Sequence, residues 1–203
     1  MTDEDVLPIV QCGDPVLRRP AEPVDPADLH TAELRRLIAQ MRATMEAAPG
    51  VGLAAPQVGV PLQLAVLQDG PERWGKVNED ELAARERYEL PFTVLVNPTV
   101  TPVDGNGLAG FYEGCLSVPG LAALVARHRA VRVEALDEHG EPVDRVFSGW
   151  SARIVQHEAD HLGGRLYLDR AEPRSLSTAD NYIKFWAGHP PADAADALGF
   201  TLR

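Results

Sequence analysis

Gln156-His157-Glu158-Ala159-Asp160-His161-Leu162-Gly163-Gly164 is the stretch from which the rest of this chain can be read. On an α-helix, residues four apart share a face, so His157 and His161 can turn both imidazoles toward one ion. Glu158 follows the first imidazole directly, within reach to shuttle a proton. A helix beginning near Gly149 would end at Gly163 and Gly164, where glycine makes a natural C-cap. Two histidines do not complete a hydrolytic centre, because a catalytic ion takes three protein ligands and keeps one position for water. In one group of metallopeptidases the third ligand is a His six residues beyond the second. Here Gly164 fits that pattern but Tyr167 stands at the His position.

A candidate for the third ligand lies upstream, in Tyr112-Glu113-Gly114-Cys115-Leu116-Ser117-Val118-Pro119. Gly114 and Pro119 bracket a short segment in which a thiolate can be held rigidly, and one thiolate with two imidazoles makes an open three-ligand site. A further segment, Gly50-Val51-Gly52-Leu53-Ala54-Ala55-Pro56-Gln57, combines glycines that permit close backbone approach with a carboxamide that donates without titrating. Both properties suit a pocket for a developing oxyanion. Read in isolation, the segment is a Gly/Ala-rich turn after a helix.

Together the three segments resemble the peptide deformylases, which remove the formyl group from the N-terminal methionine of new bacterial and organellar proteins. The family patterns G-x-G-x-A-A-x-Q, E-G-C-x-S and Q-H-E-x-D-H-L-x-G stand complete and in order, and the similarity runs from roughly residue 7 to residue 172. The resemblance implies metal ligation by Cys115, His157 and His161, with Glu158 as general base. It implies that Gln57 and the backbone N–H of Leu116 stabilise the oxyanion. An extended peptide would lie against Val51, Gly52 and Gly114, with its methionine in an apolar pocket formed by Ile154, Trp150 and Arg153. Glu113 and Arg127 are expected to pair behind the cysteine. The cofactor implied is one divalent ion, Fe²⁺ natively, with Zn²⁺, Ni²⁺ and Co²⁺ also suited to these donors. The partners implied are N-formylmethionyl nascent peptides at the ribosome exit.

Composition narrows the classes. A chain of 203 residues is one domain of ordinary size. We expect residues 1–187 to form a single catalytic domain and 188–203 a C-terminal tail, mobile or lightly docked. A formal charge of −11 argues against a nucleic-acid or anionic-membrane surface, which needs clustered Lys and Arg. Cys12 and Cys115 are too few for a disulfide framework and fit a reducing, cytoplasmic setting. The acidic start from Met1 lacks the basic and apolar regions of a secretory leader. No apolar stretch approaches the ~20 residues that span a bilayer.

The element pattern predicts an α+β fold, mostly antiparallel strands around a central helix that carries the HExxH motif. Leu34, Leu37, Ile38, Met41 and Met45 predict a helix over Asp28 to Ala48. Strands are expected at Leu62 to Leu67, Thr93 to Val96, Val100 to Val103, Ala123 to Leu136 and Val143 to Phe147. A last helix is expected over Thr178 to Trp186. Asp69 to Leu90 reads as a long polar loop with a helical turn at Asp80 to Arg87 and solvated charges. His128 and His139 lack ligand spacing. Two rival readings remain at this point. A zinc peptidase would need another third ligand, such as Asp180. A non-catalytic, metal-bearing ribosome-docking module would want a fourth ligand, for which Cys12 is the spare thiol.

Overall fold

The computed structural model describes residues 6–75 and 77–202; the acidic Met1 to Asp5 start lies outside them. Leu34, Ile38, Met41 and Met45 become the buried face of helix α1 (Ala32–Ala47). Its N-terminus is set by Thr31, whose hydroxyl accepts from Leu34 N at 3.3 Å. Asp28 to His30, expected inside the helix, instead belong to a separate 3₁₀ turn (Pro26–His30) capped by Asp25. The buried face of α1 packs on strand β1 (Gly52–Ala54) and strand β2 (Leu64–Asp69), with Leu53, Leu64 and Val66 in one cluster with Met41 and Met45. Each such fully buried side chain contributes about 1.5–3 kcal/mol.

Between β2 and the next strand, the helical turn expected at Asp80 to Arg87 is present as the short helix α2 (Glu79–Ala84). The charges of this connection are not all solvated. Asp69 accepts two hydrogen bonds from Arg87, at 2.8 and 2.9 Å, in a pair only 1% and 8% exposed. The two strands expected around Pro98 are one continuous strand, β3 (Leu90–Pro102). It keeps its course past the proline because Asn97 adopts a φ of 53° and the register shifts between Val96 and Thr99.

The run from Ala123 to Leu136 is not one strand. Strand β4 (Leu108–Cys115) and strand β5 (Val118–His128) form a hairpin, and strand β6 (Ala130–Leu136) then leaves for the other sheet. Strand β7 (Pro142–Ser148) follows across the Asp137 to Gly140 turn. One sheet has the order β1-β2-β3-β6-β7, and the other holds β4 and β5; all these pairings are antiparallel.

Helix α3 (Gly149–Leu162) touches both sheets, burying Ala152, Ile154, Val155 and Leu162. The chain turns from β7 into α3 at Gly149, where φ is 57° and a β-carbon would strike the Glu86 backbone. Strand β8 (Ser177–Thr178) adds an edge to β5, and helix α4 (Ala179–Phe185) begins directly after it. The stretch beyond, read as a tail, contains helix α5 (Pro191–Leu198), which buries Ala194 and Ala195. Among the described residues no helix is long and apolar enough to cross a membrane.

Candidate active site

His157 and His161 sit one turn apart on α3, and Cys115 sits at the tip of the β4–β5 hairpin, just before its two-residue turn. The sequence read the cysteine segment as a short rigid stretch; the rigidity comes from the hairpin, whose register shifts at Gly114. The hairpin and the helix bring the three side chains together. One donor atom from each lies within 4.8 Å of the others, and Cys115 Sγ is 3.2 Å from His161 Nε2. Ligand bonds of about 2.0–2.3 Å at tetrahedral angles call for donors about 3.5 Å apart, so the cluster fits one ion with little adjustment. Neither Cys12 nor Asp180 belongs to it, which removes the ligand each rival reading needed. Both cysteines are free.

The histidine orientations have a visible cause at one of the two rings. His157 Nδ1 lies 2.9 Å from Glu113 Oε2, which turns its Nε2 toward the thiol. Glu113 is itself saturated. Arg127 binds it through Nε and Nη2, each at 2.9 Å, and Arg153 Nη1 donates to it at 2.6 Å. Burial alone would raise the Glu113 carboxyl, but the Arg127 guanidinium outweighs it, together with hydrogen bonds from Arg127 and His157 and the charge of Arg153. The carboxyl is held well below the usual range. The expected Glu113–Arg127 pair is therefore present, and it extends to Asp160, which accepts from Arg127 Nη1 at 2.5 Å. Asp160 and Arg153 were both missed as members, and for Arg153 a signal was at hand. Its position one turn before His157 was a usable signal, since such neighbours reach the same partner.

Glu158 lies next to His157 and is 4% exposed. Burial pushes its carboxyl up to about 7, against the opposing charges of His157 and Arg127. Its Oε2 is buried without a hydrogen-bond partner among the described residues. A carboxyl that titrates near neutrality can both take and return a proton. Gly52 is the reason Glu158 fits: a β-carbon there would overlap Glu158 Oε1 and stand 2.8 Å from its Cδ.

Gln57 is held at both ends of its carboxamide. Its Oε1 accepts from Ala54 N at 2.9 Å, and its Nε2 donates to Ser117 Oγ at 3.3 Å and points at Cys115 Sγ, 3.6 Å away. The expected Gly/Ala-rich turn is a short strand, β1, running into a 3₁₀ turn (Ala55–Val58). Gln57, Leu116, Val51, Gly52, Gly114, Ile154, Cys115, His157 and Glu158 all line one cavity of about 940 Å³, as do Trp150 and Arg153. His161 lies behind it, buried.

The family model for polypeptide deformylase matches residues 6–176. Peptide deformylase 1 of Streptomyces coelicolor is 56% identical over 196 residues, 97% of this chain and 87% of that protein. The chloroplastic/mitochondrial peptide deformylase 1A of Arabidopsis thaliana is 45% identical over 177 residues, 87% of this chain and 65% of that one. The crystal structure of a Met-Ala-Ser-bound class I type b peptide deformylase from Acinetobacter baumannii superposes with a TM-score of 0.72 at 37% identity, covering 81% of this chain and 98% of that one. A family match over most of the sequence, meeting a cysteine–histidine cluster and a buried glutamate in one cavity, leads to one conclusion: the chain belongs to the polypeptide deformylase family.

Proposed function

We propose that this chain removes the formyl group from the N-terminal formyl-methionine of newly made proteins, releasing formate. The observation that carries the reading is the open three-donor cluster of Cys115, His157 and His161 with Glu158 beside it. A closed structural site would have no use for a partnerless buried carboxylate oxygen at that position.

The three donors would hold one divalent ion, and the chemistry it supplies when bound is Lewis acidity, which makes water a nucleophile at neutral pH. We propose Fe²⁺ as the native ion; a thiolate with two imidazoles also takes Zn²⁺, Ni²⁺ or Co²⁺. The chain's own residues do the rest. Glu158 accepts a proton from the attacking water as its oxygen joins the formyl carbon. The formamide C–N bond then breaks, Glu158 returns the proton to the leaving amine, and formate departs. Gln57 Nε2 and the Leu116 N–H donate to the former formyl oxygen, in positions set before substrate arrives.

The peptide lies extended along Val51, Gly52 and Gly114, using main-chain hydrogen bonds, so its sequence beyond methionine matters little. Ile154 and Trp150 wall the methionine pocket. The catalytic domain spans residues 1–187, with 188–203 as a lightly docked appendage. Nascent chains are met at the ribosome exit, in the cytoplasm, where free thiols such as these stay reduced. The test is metal removal and return. Protein stripped by a chelator should release no formate from a formyl-methionyl peptide, and anaerobic Fe²⁺ should restore the activity; turnover that survives stripping would contradict the reading.

A further inference from the structure

Arg153 lines the cavity, which invites its reading as a wall of the methionine pocket, yet its guanidinium is committed elsewhere. Nη1 donates to Glu113 Oε1 at 2.6 Å and to Val125 O at 2.9 Å, and Nη2 donates to Ala109 O at 2.6 Å. The guanidinium also stands 5.2 Å from the Phe111 ring centre and 5.7 Å from that of Trp150. The side chain is 5% exposed.

These partners belong to three pieces of chain that must stay in register. Arg153 is on α3, which carries both histidines; Ala109 and Glu113 are on β4, which ends in Cys115; Val125 is on β5. The metal donors therefore come from two separate elements, and their spacing is the spacing of helix and hairpin. Arg127 also joins these elements, from β5 to Glu113, Asp160 and Gln156 O. Arg153 adds what Arg127 does not: a bond to the backbone of β4, the cysteine's own strand. It also fills a donor position on the same carboxylate whose other oxygen orients His157.

We propose that Arg153 is a positioning residue for the metal centre, strapping α3 to the cysteine-bearing strand and fixing Glu113 so that His157 faces Cys115. The proposal rests on the metal-site reading above, so its test uses Co²⁺ binding, which reads the site without turnover. Wild type, Arg153→Met and Arg153→Lys would be titrated with Co²⁺ against a chelator, and their thiolate charge-transfer and d–d absorption bands recorded at saturation. Melting of each metal-free protein is followed in parallel.

The expected result is a loss of affinity of about 10–100-fold in Arg153→Met, the usual effect of removing a group that orients a metal ligand, together with shifted bands. Arg153→Lys, which keeps the charge but cannot span all three acceptors, should fall between. A residue that only supports the fold would lower the metal-free melting temperature and leave the saturated bands in place. Unchanged affinity and bands in Arg153→Met would overturn the proposal; if that variant does not fold, the same result in Arg153→Lys does so. A wild type that shows no cobalt–thiolate bands would overturn the metal-site reading itself, and the proposal with it.

Discussion

Gly52 shows how much of the site depends on an atom the residue lacks. The sequence pointed to a glycine that lets a ligand approach the backbone; the structure adds that Glu158 occupies the volume where a β-carbon would stand. Gly52→Ala should therefore displace the carboxylate while the strand survives. We expect its kcat to fall toward that of a Glu158 variant, a loss of about 10²–10⁴-fold, with far-UV circular dichroism unchanged. Wild-type kcat in a folded Gly52→Ala protein would refute this. Gln57 makes a second residue-scale case, because its carboxamide is fixed by Ala54 N and Ser117 Oγ before any substrate binds. Replacing it with leucine should cost about 2.7–4 kcal/mol in the barrier, read as kcat on a formyl-methionyl peptide. At this scale the sequence was most informative. Fixed spacing put two imidazoles on one helical face, and residue chemistry singled out the thiol. What it could not give was which neighbours occupy each other's space, since Gly52 and Glu158 are far apart in the chain.

Among the elements, the β4–β5 hairpin and α3 are joined by the buried cluster of Glu113, Arg127, Arg153 and Asp160. Its pH behaviour follows from the sign of one shift. The Glu113 carboxyl titrates well below its ordinary value of 4.5 in the folded protein, so the folded state favours the ionised form. That contribution to stability is complete above the unfolded value and disappears as pH falls through the folded one. Melting temperatures of metal-free protein should drop as pH is lowered below about 4.5. The gap between wild type and Glu113→Gln should narrow over the same range; a gap independent of pH would exclude this linkage. Element types were largely legible, because apolar periodicity marked α1 and the spacing of His157 and His161, with glycines after them, marked α3. Element boundaries were not. The break at Arg129 that sends β6 to a different sheet from β5 falls in Arg127-His128-Arg129, with neither the glycine nor the proline that usually marks a turn. Nor does polarity alone reveal that Asp69 and Arg87 are buried against each other, since only the fold brings them together.

For the whole molecule, two antiparallel sheets meeting across α3 agree with the α+β fold expected from the pattern of elements. The C-terminal stretch was the hardest part to read, its Ala/Asp composition giving no clear face. It docks through Ala194 and Ala195, and Arg174 Nε donates to Leu198 O at 2.8 Å. Ending the chain after residue 187 should remove about 1–2 kcal/mol, a melting shift of about 2–8 °C, and leave kcat/KM within about twofold. A truncated protein that folds but has lost turnover would place the tail in the active machinery. The central claim, that Glu158 drives hydrolysis of a formamide beside a metal held by Cys115, His157 and His161, meets its most direct test in one assay. Formate release from a formyl-methionyl peptide would be measured for anaerobically purified wild type and for Glu158→Gln at equal metal content. The account predicts formate from the wild type and its near loss in the variant. No formate from fully metal-loaded wild type, or equal rates in both proteins, would contradict it.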